Sequence, residues 1–443
     1  MSGGGRLVVL GVVSAAAVVV AAAGWLSPQD EAISSAPVTS APSGPSIETT
    51  VLLAAGAPTL DPAAATAVTT ETTETDPAAT TVPGTTMPAT TAPATTLPPV
   101  GSRSLSVLLT GDILTENPVL DAGREAGAAT GVPYDFSSLF APITPLVQSF
   151  DLAICQMEVP IGRPGEEPGA KGRSPYGGNL ILAPYEMAGA IDAAGFDRCT
   201  TASNHSYDLG VAGIESTIDA FEQLGISWSG TARRPEESPP VVFEARGIRI
   251  AHLSYTKRSN TDAPADEWRL NLTTDTGRVA ADVAAVREAG AELVIVSVHV
   301  FKEMTEQPIA ENREFAAAIT GAADIDALIH HGPHVVQGFE VVNGTPTWWS
   351  IGNLLSGMAR PGASGRYADP RSRDGLGAVL RFQENGPGVW QLDTSSVVLC
   401  NETASRIIYP GTTATADPAL DPALREQLQG CVDRTRNAIP NAN

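Results

Sequence analysis

The chain has few lysines, histidines and cysteines, and these scarcities exclude several functions. Its 27 basic residues, of which only Lys171, Lys257 and Lys302 are lysines, stand against 49 acidic residues, giving a formal net charge of −22. This balance argues against general binding to nucleic acid or to anionic lipid surfaces. A polyanionic substrate would also be repelled, except where a metal ion or an arginine cluster reverses the local charge.

The four cysteines contain no Cys-x-x-Cys pair, so a cysteine metal site is not expected. Cys400 and Cys431 both lie in the C-terminal region, where a disulfide would attach the tail to the domain. Cys155 and Cys199 lie near the ends of two predicted strands. They either bridge neighbouring strands or remain two buried free thiols.

Two catalytic patterns are also missing. The sequence has no nucleophile elbow of the Gly-x-Ser-x-Gly type on a strand-to-helix turn. It has no Walker loop or dinucleotide fingerprint between a strand and a helix. A serine hydrolase and a nucleotide-binding enzyme are therefore not favoured.

Composition divides the chain into four segments. Residues 1–26 contain Arg6 followed by an apolar stretch, typical of a signal peptide or a membrane anchor, and either places the rest outside the cytoplasm. Residues 27–100 are rich in Thr, Ala and Pro, which predicts a disordered spacer. Residues 101–400 are expected to form the folded domain, and residues 401–443 a C-terminal tail.

Apolar strand patterns alternate with helical ones through the predicted domain, which indicates an α/β fold. Residues 241–253 look like a hairpin turning at Arg246-Gly247. Hairpins favour a mixed sheet, or two stacked sheets, over a purely parallel one.

Potential metal ligands follow several of these apolar strands. Ligands collect at the carboxyl ends of strands in open α/β sheets, so one assembled site is expected. Carboxylate and imidazole donors together suit Zn, Mn or Fe better than calcium. The candidates are Asp112, Glu158, Asn204, His299, His331 and His334.

Each candidate alone also has a purely structural interpretation. Asp112 could cap a turn, Asn204 could cap a helix, and His299 could be a hydrogen-bonded core histidine. His252 and His330 lie within strand patterns, and a structural role is expected for both.

As a set, the motifs resemble the CapA family of bacterial capsule and poly-γ-glutamate biosynthesis proteins, from about residue 106 to 355. The resemblance rests on an opening Gly-Asp, an Asp-Leu-x-x-x-Asn-Leu-Glu element, an Ala-Asn-Asn-His-x-x-Asp-x-Gly element, a Pro-His-Val element and a Ser-Leu-Gly-Asn element. Here these correspond to residues 111–112, 151–158, 202–210, 331–337 and 350–353.

That family in turn is similar to calcineurin-like metallophosphoesterases, which implies a four-layer fold with mixed β-sheets stacked between helices. The resemblance implies that the six candidates hold one or two divalent ions and that His205 is the general acid. It also brings Asp208 and Glu303 into the catalytic set. One departure is Leu114, where metallophosphoesterases carry a histidine, so a mononuclear site stays open.

A second departure lies beside a presumed ligand. The family's His-Trp-Gly-x-Glu is His299-Val300-Phe301-Lys302-Glu303 in this chain. The imidazole and the glutamate remain, but the changed pocket wall is expected to alter substrate preference.

The resemblance supports two functional hypotheses. In the first, the protein is an extracytoplasmic metal-dependent hydrolase or transferase, of metallophosphoesterase type, acting on an anionic polymer or its precursor. In the second, it is a non-catalytic subunit that binds or exports the polymer with other capsule-synthesis subunits. In both, the N-terminal segment would contact the membrane, and no nucleic acid is involved.

Overall fold

The computed structural model describes residues 103–360, 362–440 and 442. The predicted signal or anchor at 1–26 and the predicted spacer at 27–100 lie outside the described residues.

The described part of the chain alternates strands with helices. In chain order the strands are β1 (Ser104–Leu114), β2 (Leu152–Met157), β3 (Gly169–Arg173), β4 (Asn179–Leu182), β5 (Arg198–Thr200), β6 (Ser227–Ser229), β7 (Val242–Ala245), β8 (Ile248–Thr256), β9 (Leu293–His299), β10 (Ala327–His331), β11 (Phe339–Val342), β12 (Thr345–Trp348), β13 (Asn353–Ser356), β14 (Asp374–Gly386), β15 (Val389–Asn401) and β16 (Ile408–Pro410). The α-helices are α1 (Asn117–Thr130), α2 (Ser137–Phe140), α3 (Thr144–Val147), α4 (Glu186–Ala194), α5 (Gly210–Leu224), α6 (Thr276–Glu288), α7 (Ala310–Ala322), α8 (Gly411–Thr415) and α9 (Pro422–Ala438).

The first sheet has eight strands and is mixed. Its order is β16-β15-β14-β1-β2-β5-β6, and β13 pairs with the end of β1. Strands β1, β2, β5 and β6 run parallel, whereas β14, β15 and β16 are joined by antiparallel pairing. The parallel half places the carboxyl ends of β1, β2 and β5 side by side.

The second sheet has six strands in the order β11-β12-β10-β9-β8-β7. Its four central strands are parallel, and β7 and β11 close the edges as antiparallel hairpin partners. The predicted hairpin at residues 241–253 is confirmed. Its turn uses Arg246 and Gly247, both with positive φ.

The two sheets pack face to face around a shared apolar core. Side chains alternate along each strand, so β9 sends Leu293 and Ile295 into this inner core and Val294 and Val296 to the outer face. Because both faces are buried, β9 is apolar along nearly its whole length.

Helices cover the two outer faces. Helices α1 to α5 pack on the first sheet, and α6 and α7 pack on the second. The result is helix, sheet, sheet, helix, so the four-layer α/β fold with mixed sheets is confirmed.

Two disulfides are present. Cys155 and Cys199 are register partners on the adjacent strands β2 and β5 and are joined, so the free-thiol alternative is wrong. The predicted Cys400–Cys431 disulfide is confirmed and ties α9 to β15. Residues 401–443 contribute β16 to the first sheet, and α8 and α9 add side chains to the inner core. Two disulfides indicate an oxidising, extracytoplasmic compartment.

Among the described residues, no helix combines the length and the apolar character needed to cross a membrane.

Candidate metal centre

Asp112 comes from the central strand of the first sheet. Its peptide N–H donates to the Gly352 carbonyl at 3.0 Å, and the pairing of β1 with β13 is irregular at this point. A side chain at Gly111 would collide with the Gly352 carbonyl, so the preceding residue must be glycine. The close approach of the two backbones directs the Asp112 carboxylate towards the second sheet, where it meets histidines.

Glu158 and Asn204 come from the two neighbouring strands of the same sheet. Glu158 follows β2 directly and is fully buried, and Asn204 follows β5. The Cys155–Cys199 disulfide joins these strands just before both residues, and the Ser203 hydroxyl donates to the Glu158 carbonyl. The two loops are therefore tied together beside Asp112.

Three histidines come from the second sheet. His299 ends β9, His331 ends β10, and these two residues are register partners on parallel strands. His334 follows in a turn that begins at Gly332. Gly332 has φ +99°, and a Cβ there would lie 2.7 Å from Cε1 of His299, so only glycine fits beneath that imidazole.

The donor atoms of the two sheets converge. His299 Nε2 lies 3.4 Å from Glu158 Oε1, and His334 Nε2 lies 3.7 Å from the same oxygen. Asp112 faces two imidazoles, with 3.4 Å from Oδ1 to His331 Nδ1 and 3.3 Å from Oδ2 to His334 Nδ1. Single donor atoms of Asp112, Glu158 and His299 lie within 4.8 Å of one another, a spacing that suits a metal ion.

Several of these buried donor atoms have no hydrogen-bond partner in the described part of the protein. They are Oδ1 of Asp112, both carboxylate oxygens of Glu158, Oδ1 of Asn204, Nε2 of His299 and both ring nitrogens of His331. Buried carboxylates without partners are costly, and no lysine or arginine among the described residues forms a salt bridge with Asp112 or Glu158. A divalent cation would satisfy these atoms together, so the residues present fit a metal.

The electrostatics lead to the same conclusion. Burial raises the pKa of Asp112, but the His331 and His334 imidazoles outweigh this effect and hold the pKa below its usual value. Burial lowers the pKa of His334, whereas Glu158 and Asp112 raise it well above its usual value. The carboxylates therefore favour a proton on the His334 imidazole, a role that a bound cation would take over.

His205 lies beside this cluster and is oriented by Asp208. Its Nδ1 lies 2.6 Å from Oδ2 of Asp208 and 3.1 Å from the Asn260 amide nitrogen. Asp208 is itself held by the peptide N–H of Ile181, which donates to Oδ2 at 2.8 Å. Burial lowers the pKa of His205, but Asp208 outweighs burial and raises it. The arrangement keeps a proton on Nδ1 and leaves Nε2 for the cleft.

The site opens into a cleft of about 740 Å³. His205, Asn204 and His334 line its floor, and Glu303 lies on its wall, where it pairs with Arg366. Glu303 is thus at the site predicted for it, but its carboxylate is already paired with a guanidinium.

All nine predicted site residues lie in or beside this cluster and cleft. His252 and His330, for which structural roles were predicted, make other contacts. His252 hydrogen-bonds Ser297 Oγ at 2.9 Å and accepts from Arg198 Nε at 3.2 Å. His330 packs against Trp349 with ring centroids 5.3 Å apart.

Three further residues support the site and were not assigned a role from sequence. Asn260 accepts a hydrogen bond from Asn204 at 3.0 Å and also contacts His205. Oδ1 of Asn353 lies 2.9 Å from Nδ1 of His334. Glu116 lines the cleft two residues after β1. Asn353 belongs to the motif at residues 350–353, and Asn260 follows Tyr255-Thr256 in a stretch that resembles a Tyr-Thr-x-x-x-Asn element of the family. A signal was therefore present for both, whereas Glu116 belongs to no motif.

Comparison with known proteins gives a family and two relatives. Residues 106–358 match the model of the family described as "Bacterial capsule synthesis protein PGA_cap". The chain is 25% identical over 260 residues to "Capsule biosynthesis protein CapA" of Bacillus anthracis, covering 57% of this chain and 60% of that protein. It is 23% identical over 298 residues to "PGA biosynthesis protein CapA" of Bacillus subtilis (strain 168), covering 65% of this chain and 70% of that protein.

Among solved structures, the calcineurin-like phosphoesterase YfkN from Bacillus subtilis is similar, with a TM-score of 0.40 and 12% identity. The match covers 77% of this chain and 100% of that one. A TM-score and an identity this low carry no conclusion about the chemistry of the site.

Proposed function

Because the chain belongs to the PGA_cap family of bacterial capsule synthesis proteins, we propose that it is a metal-dependent hydrolase or transferase acting outside the cytoplasm. Its substrate would be an anionic capsule polymer or the precursor of one, as the names of the two relatives suggest.

One observation supports the proposal above all others, namely the buried cluster of Asp112, Glu158 and His299 with donor atoms that lack partners. Most buried polar side-chain atoms have hydrogen-bond partners, and among the described residues of this cluster seven atoms of five residues lack one together. Here unsatisfied carboxylates and imidazoles meet at the carboxyl ends of strands from two sheets. This pattern is expected of a site built for a cation.

We assign Asp112, Glu158, Asn204, His299, His331 and His334 as ligands of one or two divalent ions. Mixed carboxylate, amide and imidazole donors suit Zn, Mn or Fe. When bound, such an ion would polarise a substrate oxygen and lower the pKa of a bound water.

Side chains of the protein would supply the proton for the leaving group of the substrate. Asp208 accepts from Nδ1 of His205 and so fixes the ring with Nε2 towards the cleft. From there His205 would donate a proton to the leaving oxygen or nitrogen of the substrate. Asn260 accepts a hydrogen bond from the Asn204 amide, which holds that candidate ligand in place beside His205.

Two measurements on the full chain test the proposal. Metal analysis of the purified protein should find Zn, Mn or Fe, and a chelator should lower its unfolding midpoint. His205→Asn should keep its metal while turnover of the polymer substrate falls by at least about a hundredfold, as expected when a general acid is lost. The proposal would be wrong if the protein contained no bound metal and its unfolding midpoint did not change in chelator.

A matched control separates the roles. His252→Asn changes a buried histidine outside the cluster and should leave metal content unaltered. If oligo-γ-glutamate binds saturably but is never turned over with any of the three metals, the protein is the non-catalytic binding subunit instead.

A further inference from the structure

The loop that follows β9 has an unusual backbone. Lys302 has φ +101° and Met304 has φ +60°, although neither is glycine. Left-handed conformations are costly for L-residues with long side chains and persist only where the surroundings enforce them. Such residues concentrate at functional sites, which indicates a functional role for this loop.

Neighbouring segments hold the loop in place from both sides. The Val300 N–H donates to the His331 carbonyl at 2.9 Å, and the Met304 N–H donates to the Pro333 carbonyl at 2.9 Å. From the helix side, the Asn312 amide donates to the Phe301 carbonyl at 3.1 Å. The strained residues are therefore pinned to the turn that carries His331 and His334.

The effect of this backbone is to place a cation in the cleft. Lys302 and Arg258 both line the cleft and are exposed, and neither forms an ion pair with any residue that the structure describes. Arg258 is steadied by stacking on Phe301, with its guanidinium carbon 4.2 Å from the ring centroid. Arg366 also lines the cleft, but Glu303 already neutralises it.

The positive charges of Lys302 and Arg258 contrast with the acidic character of the chain. With a formal net charge of −22, the protein repels anions over most of its surface. Lysine is scarce in the sequence, and Lys257 is buried against Glu311 at 2.9 Å. An unpaired lysine at the mouth of an acidic metal centre is where an anion would find a local attraction.

We propose that Lys302 and Arg258 form an anion-binding subsite beside the metal centre, which holds a carboxylate or phosphate group of the substrate, and that the strained loop positions Lys302 for this contact. The inference rests on the proposed function, since it assigns the charge of that substrate. The anionic group held by Lys302 and Arg258 would be distinct from the reacting group of the substrate at the metal centre.

Three substitutions at one position test the subsite in the full chain loaded with its metal. Lys302→Met removes the charge and keeps the strain, Lys302→Gly removes both, and Lys302→Arg keeps both. Calorimetric titration with inorganic phosphate and with tri-γ-glutamate shows which anion the subsite accepts. We expect the Met and Gly variants to bind the accepted probe about tenfold more weakly, the loss of one charge-assisted contact, and the Arg variant to bind it nearly normally.

Stability supplies a readout that binding alone does not. Lys302→Gly should raise the urea midpoint because glycine adopts a positive φ without strain, whereas Lys302→Met should leave the midpoint unchanged. Unaltered affinity of Lys302→Met for both probes would overturn the subsite, and an unraised midpoint in Lys302→Gly would overturn the positioning role of the loop. Metal content should be measured on the unaltered chain and on every variant. An unaltered chain without metal would contradict the proposed metal-dependent function, whereas unchanged anion affinity in metal-loaded variants would contradict only the subsite.

Discussion

The disulfide between Cys155 and Cys199 should contribute both to stability and to the metal centre. It joins β2 to β5 at register partners, and the two strands end at the loops that carry Glu158 and Asn204. Replacing both cysteines by alanine removes the link without introducing a buried polar group.

The magnitude follows from the loop that the bond closes. The cysteines are 44 residues apart in sequence. In the chain-entropy treatment, opening a loop of this size costs about 4 kcal/mol at 25 °C, before the small loss of sulfur packing is added. The free energy of unfolding from urea titration should therefore fall by roughly 4 kcal/mol in Cys155→Ala/Cys199→Ala.

The second disulfide provides a matched control. Cys400 and Cys431 are 31 residues apart, and their removal should cost about 3.7 kcal/mol by the same reasoning. That bond ties α9 to β15, away from the ligands, so its loss should leave metal affinity unaltered. Loss of the Cys155–Cys199 bond should weaken metal affinity as well, because the loops after β2 and β5 become free to separate.

Equilibrium dialysis against Zn or Mn, followed by elemental analysis, measures the second effect on both double variants. The reasoning is refuted if the Cys155–Cys199 variant loses less than about 1 kcal/mol, or if both variants bind metal equally well.

Further predictions address the turn, the bound ion and acid sensitivity. Gly332→Ala should lose about 2 kcal/mol of stability, because the new Cβ would lie 2.4 Å from the Val300 carbonyl oxygen and 2.7 Å from Cε1 of His299. The turn and the His299 ring must move apart, so metal affinity should fall by about tenfold or more. Normal metal affinity by dialysis would contradict the assignment of His299 as a ligand. A metal at one hundred times its dissociation constant should stabilise the chain by about 2.7 kcal/mol in urea titrations, and no shift would argue against a folded-state site. Burial, and then Arg198, hold the pKa of His252 well below its usual value, so the folded imidazole stays neutral while the unfolded one binds a proton below about pH 6.5. The contribution of neutral His252 to the free energy of unfolding is complete above about pH 6.5 and is lost as the pH falls. Between pH 7.5 and 5.5 the free energy of unfolding of the unaltered chain should therefore fall by about 1.4 kcal/mol more than that of His252→Asn. Parallel pH curves for the two proteins would contradict this prediction.

Much of the site could be predicted because its members are marked locally. Asp112 follows a glycine in β1, Glu158 follows β2, and His299 and His331 end apolar strands. Strand ends can be recognised from apolar runs and the polar residues that stop them, and parallel strands bring such ends to one edge.

Other parts of the site depend on contacts between distant segments that no local pattern shows. Asn353 reaches His334 because β13 pairs with the end of β1, a pairing between segments more than 200 residues apart. Glu116 enters the cleft through the course of the chain between β1 and α1. The unusual φ of Lys302 arises from hydrogen bonds to another loop, and a residue type with no preference for that conformation does not reveal it.

By itself, the sequence determined the α/β class, the scarcity of lysine and the residue types of the candidate ligands, since these depend on composition and on patterns within a few residues. Only the tertiary structure decided that candidate ligands from two different sheets meet with unsatisfied donor atoms, as Glu158 meets His299. It alone also decided that Lys302 faces the same cleft as His205. The physical reason is that sheet stacking and loop clamping are set by contacts between distant segments, which no local pattern encodes.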